Sequence, residues 1–283
     1  MKLHAPRRSS SRLAAVLGAA ALAAAATVPA ASAATSGSGL APVSHPDRDW
    51  MGSTIVAHEG RPVDTGHGGT VTPMVYGVPG MDVSSYQGNV CWSCAWNNGA
   101  RWAYVKATEG TGYTNPYFTQ QYNGSYNIGM IRGSYHFALP DRSSGSYQAD
   151  YFVNHGGGWS RDGKTLPGAL DIEYNPYGGT CYGLSQSGMR SWIASFINEY
   201  HYRTSRYPVI YTTTDWWTTC TGNYSGFASN DPLWIARYAS SAGTLPAGWS
   251  YYSFWQYASS GVFPGDQDTW NGDYAGLQRM ATG

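Results

Sequence analysis

Apolar residues recur along this chain with two different spacings, and the alternation between them predicts the fold. Seven short runs rich in β-branched and aromatic residues read as strands: Gly80–Ser84, Trp102–Thr108, Met130–Phe137, Gly168–Tyr174, Pro208–Thr213, Leu233–Tyr238 and Tyr251–Tyr257. Trp192, Phe196 and Tyr200 recur every fourth residue and predict a helix over Ser187–Arg203, with Ser185 placed to cap it. Asn115–Asn127 and Ser143–His155 are further helix candidates. Strands alternating with helices imply an α/β fold with a parallel sheet, and seven or eight such units imply a β/α barrel. No internal repeat or second folded domain is apparent.

The first 77 residues break this pattern. Arg7, Arg8 and Arg12 precede an apolar run from Leu13 to Ala26, and Ala31-Ser32-Ala33 fits a small-residue cleavage site. Residues 1–33 are therefore expected to be a signal peptide, and the protein to be secreted and extracellular. The run is short and Ala-dominated for a membrane anchor. Arg7-Arg8 leaves twin-arginine export open. From Ala34 to Gly77, Pro, Gly, Ser and Thr recur without apolar periodicity, as expected of a flexible pro-segment or lead-in. Residues 78–283 are expected to form the catalytic domain.

Composition narrows the partners. Only 12% of residues are charged, and the 17 basic and 17 acidic residues cancel. No basic stripe is present to bind nucleic acid, and no basic amphipathic helix to bind a membrane surface. With 12 Trp and 23 Tyr, the chain has many rings suited either to a core or to stacking on sugars. Export permits the four Cys to form two disulfides, with three pairings possible. One C-x-x-C, Cys91 to Cys94, is a poor zinc signature without a second pair, and it lacks the βαβ context of a redox motif. Neither a metal nor a cofactor is implied.

Polar residues gather near the C-terminal halves of the strand candidates: Asp82, Lys106, His136, Asp171, Glu173, Tyr211, Arg237 and Gln256. In a β/α barrel that end carries the chemistry. Beyond Val78 the Glu residues are Glu109, Glu173 and Glu199. Glu199 falls on the polar side of its helix, and Glu109 fits either a rim or a loop. Glu173 lies in Leu170-Asp171-Ile172-Glu173-Tyr174, where a carboxylate is costly unless paired, hydrogen-bonded or protonated. Side chains two apart on a strand share a face, which puts the Asp171 and Glu173 carboxyls roughly 5–7 Å apart. Such a pair splits its pKa values, leaving one acid and one anion, the combination glycoside hydrolysis needs. A divalent-metal site or a structural ion pair would also explain Asp-x-Glu, although Ile172 and Tyr174 are poor company for a hard cation.

Five motifs then occur in order: Gly80-Met81-Asp82-Val83-Ser84-Ser85-Tyr86-Gln87-Gly88, Lys106-Ala107-Thr108-Glu109-Gly110, Arg132-Gly133-Ser134-Tyr135-His136-Phe137, Leu170-Asp171-Ile172-Glu173 and Phe254-Trp255-Gln256-Tyr257. Together they resemble the glycoside hydrolase family 25 lysozymes of the Chalaropsis type, most of all secreted Streptomyces lysozymes, from Val78 to the end. The resemblance implies a flattened, irregular barrel, cleavage of the β-1,4 bond from N-acetylmuramic acid to N-acetylglucosamine, and peptidoglycan glycan strands as the partner of a monomer. It assigns Glu173 as general acid/base, Asp171 as its partner, Asp82 as a tuning group and Asp266, rather than Asp268, as a fourth carboxylate.

Tyr135, Tyr174, Tyr211, Trp234, Trp255 and Gln256 are candidates for binding sugar, Tyr135 and Tyr211 on motif grounds. His136 reads as structural. Cys181 is expected to pair with Cys220, because their loops follow successive strands on one rim, and Cys91 with Cys94, a departure from the family pattern. Retention through substrate-assisted catalysis is the expected stereochemistry. A chitinase-like or endo-N-acetylglucosaminidase activity is an alternative, although Pro167-Gly168-Ala169-Leu170 replaces the acidic series such enzymes carry upstream. A non-catalytic wall-binding protein is another.

Overall fold

Alternation along the short runs becomes a closed barrel because one face of every strand must be buried inside it and the other beneath helices. In the computed structural model, which describes residues 48–60 and 76–283, the elements follow the order α1 (Ile55–Glu59), β1 (Val78–Val83), α2 (Trp92–Asn97), β2 (Trp102–Glu109), β3 (Tyr113–Thr114), α3 (Phe118–Asn127), β4 (Ile131–Phe137), α4 (Gly145–Phe152), β5 (Ala169–Asp171), α5 (Gln186–Thr204), β6 (Val209–Thr212), α6 (Thr214–Thr221), β7 (Leu233–Ala236), β8 (Phe254–Ala258), β9 (Asp266–Trp270) and α7 (Tyr274–Thr282). The expected signal peptide lies outside the described residues.

Strands run β1-β9-β8-β7-β6-β5-β4-β2 around the barrel, and β1–β2 pairing closes it; β3 hangs on β2 as a hairpin. Most neighbours are parallel, as expected, but β9 is antiparallel to both β1 and β8. The sequence reading missed β9 because Asp266-Gln267-Asp268-Thr269-Trp270 puts acidic residues at its inward positions, where strand patterns call for apolar ones. Its opposite direction brings its first residue, Asp266, to the rim where the parallel strands end.

The lower barrel is filled with rings. Trp102 lies 4.9 Å from Phe254, and Tyr104 4.9 Å from Trp234, between ring centroids. Gly80 makes room for them, since a Cβ there would stand 2.2 Å from the Trp102 indole. Outside the barrel, α5 buries Met189, Trp192, Ile193, Phe196, Ile197 and Tyr200, a single helical stripe, and Ser185 caps it by accepting from the Gly188 amide. The expected helices over 115–127 and 143–155 are present in shortened form as α3 and α4.

Candidate active site

At the carboxyl end of the parallel strands, buried acids converge around one amide. Asp82 on β1 is the cross-strand partner of Asp266 on β9. Between them Gln256 on β8 directs its Nε2 to Asp82 Oδ2 at 2.8 Å and Asp266 Oδ2 at 3.0 Å. Its Oε1 accepts from the hydroxyls of Tyr211, at 2.7 Å, and Tyr238, at 3.0 Å. A side-chain amide suits this place because one end donates to carboxylates while the other accepts from phenols. Two residues further along β9, Asp268 accepts from the Trp234 indole at 3.0 Å. Burial lifts the Asp82 carboxyl to about 7 against the pull of its bond from Gln256. It also lifts Asp266 and Asp268 well above the carboxylate range, with the charge of Asp82 adding to each.

Asp171 closes β5, and Glu173 follows two residues later. The chain stays extended between them: the Ile172 amide donates to the Tyr211 carbonyl at 3.0 Å, and Ile172 is buried among the residues under the helices. Burial, then the neighbouring Glu173 charge, raises Asp171 far above its ordinary value; the Glu173 carboxyl lies against it, and no other donor among the described residues reaches its oxygens. Burial raises Glu173 to about 8, although it accepts from the Gly52 amide at 2.6 Å and the Thr54 hydroxyl at 3.3 Å. A protonated carboxyl beside a second carboxyl is the arrangement acid catalysis requires. The buried cation nearby, Lys106, is held by Glu109 at 2.6 Å and Asp49 at 3.2 Å. Burial alone would lower the Lys106 pKa, but these two anions outweigh it and keep the amine charged.

The family model for glycosyl hydrolases family 25 matches residues 81–266, a span that includes every one of these acids except Asp49 and Asp268. The chain belongs to that family. It is 50% identical over 210 residues to lysozyme M1 of Streptomyces globisporus, covering 72% of this chain and 71% of that protein. It is 48% identical to the N,O-diacetylmuramidase of Chalaropsis, over 73% of this chain and the whole of that one. Among solved structures, a family GH25 lysozyme of Aspergillus fumigatus superposes with a TM-score of 0.72 at 50% identity, over 74% of this chain and 100% of that one.

In this family 25 glycoside hydrolase the nominated aromatic residues separate into two groups. Tyr211 and Gln256 share the carboxylate network, Tyr135 lies beneath it within reach of the Met51 amide at 3.4 Å, and Tyr174 stands at the rim, 2.9 Å from Asp215. Trp255 is turned away. It borders Gln256 on a pleated strand, so the two side chains face opposite sides, and its ring packs under the helices with its indole donating to the Arg237 carbonyl. Trp234 is fully buried among the barrel rings below the acids. Neither Trp faces the groove. His136 is buried between Thr108 and Gln148, and burial drives its pKa down to about 3, as befits a neutral structural residue.

Tyr238, Glu109 and Tyr177 were not nominated. Tyr238 shares strand parity with Trp234 and Ala236, a signal that could have placed it inward. Glu109 and Tyr177 meet through a 2.7 Å hydrogen bond that only the fold brings about. The disulfides are Cys91–Cys94 and Cys181–Cys220, the expected pairs.

The lead-in contributes directly. Asp49, Met51 and Ile55 are buried, Met51 and Ile55 within the barrel-interior cluster, a role that the lack of apolar periodicity in this stretch did not suggest.

Proposed function

We propose that this peptidoglycan-hydrolysing lysozyme is a muramidase that cleaves the β-1,4 bond between N-acetylmuramic acid and N-acetylglucosamine with Glu173 as acid and base and Asp171 as its partner. The observation that carries the assignment is the Asp171–Glu173 pair, buried on one face at the carboxyl end of a family 25 barrel with Glu173 raised to about 8. Relatives named lysozyme M1 and N,O-diacetylmuramidase, at 50% and 48% identity, support the substrate class.

In this reading the protonated Glu173 gives its proton to the glycosidic oxygen as the bond to the anomeric carbon breaks. The oxygen of the sugar's own 2-acetamido group attacks that carbon and forms an oxazolinium ion. Asp171, which no donor other than Glu173 reaches among the described residues, accepts the acetamido N–H and stabilises the positive charge. Water then adds to the anomeric carbon, giving its proton to Glu173 and reopening the ring, so the configuration is retained. Burial keeps Glu173 protonated, with the charge of Asp82 a smaller contribution in the same direction. Tyr135, Tyr174 and Tyr211 are the sugar-facing rings of this reading.

Export would remove residues 1–33 and release an extracellular monomer whose catalytic body is residues 78–283. Among the described residues no helix is long and apolar enough to cross a membrane. Clearing of a peptidoglycan suspension by residues 78–283 tests the assignment. Glu173→Gln should abolish clearing while glycan binding persists, and Asp171→Asn should lose most of the rate. Full activity of Glu173→Gln would overturn it.

A further inference from the structure

The Met51–Gly52 peptide group bridges the candidate acid and the amide at the centre of the site. Its N–H, on Gly52, donates to Glu173 Oε1 at 2.6 Å, and its C=O, on Met51, is 3.3 Å from Gln256 Nε2. One planar secondary amide thus spans the acid and the amide that organises the other carboxyls. The 2-acetamido group of an N-acetylated sugar carries the same pair of donor and acceptor. The flanking residues engage further side chains around the acids. Asp49 pairs with Lys106, and its other oxygen accepts from the Tyr177 hydroxyl at 3.2 Å. Thr54 reaches Glu173, His58 stacks on Tyr174 with centroids 4.0 Å apart and planes 4° apart, and Glu59 is 2.8 Å from the Tyr174 hydroxyl. Met51 and Asp49 have no exposed surface.

The fit is specific at Gly52. Its φ of +84° is one that side-chain-bearing residues rarely adopt, and a Cβ there would stand 2.4 Å from the Tyr238 hydroxyl, 2.6 Å from Gln256 Oε1 and 2.8 Å from the Tyr211 hydroxyl. The backbone can come this close to the acids only at a glycine.

We propose that residues 48–60 are a built-in occupant of the saccharide groove, so that the chain carrying them is latent and becomes active when the segment leaves. The proposal rests on the glycoside-hydrolase reading of the groove. Segment and glycan compete for Glu173, Gln256, Tyr174 and Lys106, so they exclude each other. The tether raises the segment's effective concentration to the millimolar range, enough for modest intrinsic affinity to hold the groove closed.

The test uses residues 34–283 with a site-specific protease sequence placed between Thr70 and Val71, alongside the same chain carrying Gly52→Leu. The rate of peptidoglycan clearing is measured before and after cutting, with the released segment removed by dialysis. Cutting should raise the rate of the wild-type segment at least about tenfold, the gain expected when the open state is populated below about a tenth. Uncut Gly52→Leu should already match the cut chain within about twofold. Equal rates for uncut wild type and uncut Gly52→Leu would overturn the proposal. If no chain clears peptidoglycan in any state, the muramidase reading fails, and amide exchange then decides the seat independently. Strong protection of the Gly52 amide in the uncut chain supports it, and exchange as fast as in a free peptide overturns it.

Discussion

Replacing Gln256 by Leu should destabilise the protein by stranding a buried hydrogen-bond partner. The side chains are similar in size, so little cavity is left, and the loss is one of hydrogen bonds. Gln256 serves the carboxyls of Asp82 and Asp266 at 2.8 and 3.0 Å and the hydroxyls of Tyr211 and Tyr238 at 2.7 and 3.0 Å. A buried polar group left without its partner costs about 1–3 kcal/mol. Three of the four have relief: the two carboxyls are already raised by burial and can keep a proton, and Tyr238 can turn to the Gly52 carbonyl 3.3 Å away. Tyr211 has no such alternative among the contacts it makes. One stranded hydroxyl makes a net loss of about 1–3 kcal/mol, which lowers Tm by roughly 2–4 °C per kcal/mol for a domain of this size. Gln256→Glu should be at least as damaging, because it adds a carboxyl against two others, and its deficit should widen as pH rises and the acids ionise. Calorimetric scans of residues 34–283 at pH 5 and pH 8 measure both. A Gln256→Leu Tm within about 2 °C of wild type, the range of ordinary surface substitutions, would refute the reasoning.

Two further predictions follow from the same geometry. Glu173 acts as an acid only while protonated, so activity is present below its pKa and lost as pH rises through it; with the groove filled that pKa is about 8. In residues 78–283, water entering the empty groove lowers it and bound glycan restores it. The alkaline limb of kcat should therefore lie above that of kcat/KM in a pH profile, and coincident limbs would contradict the burial argument. Removing the Cys181–Cys220 link, which closes a loop of sequence separation 39, as Cys181→Ala with Cys220→Ala, should cost about 4 kcal/mol by loop entropy. Urea titration measures this, and an unchanged midpoint would argue against it.

Much of the fold was legible because strand and helix periods are set locally. α5 and its Ser185 cap follow from the sequence pattern, and so do the strands whose inward positions are apolar or aromatic. Asp266–Trp270 escaped because its inward residues are acids that only a completed site can accommodate. The site was legible where parity could be applied, as at Asp171 and Glu173. At Trp255 an aromatic residue on a strand suggests a sugar contact, whereas its parity with the inward Gln256 places its ring under the helices. Glu109 and Tyr177 could not have been joined from the sequence, since they are 68 residues apart and meet only across the groove. The packing of Asp49, Met51 and Ile55 was hidden for another reason: so short a segment, lying over a barrel end, needs no periodicity, only a few residues that fit.

The central claim is the bond that is cut, and the new reducing ends report it directly. Peptidoglycan digested by residues 78–283 is reduced with borohydride, hydrolysed, and analysed for sugar alcohols, with Glu173→Gln as the control. The account predicts muramitol, formed in proportion to clearing and absent with Glu173→Gln. Glucosaminitol in its place would contradict it and indicate a glucosaminidase. Clearing with neither alcohol would show that no glycosidic bond is hydrolysed.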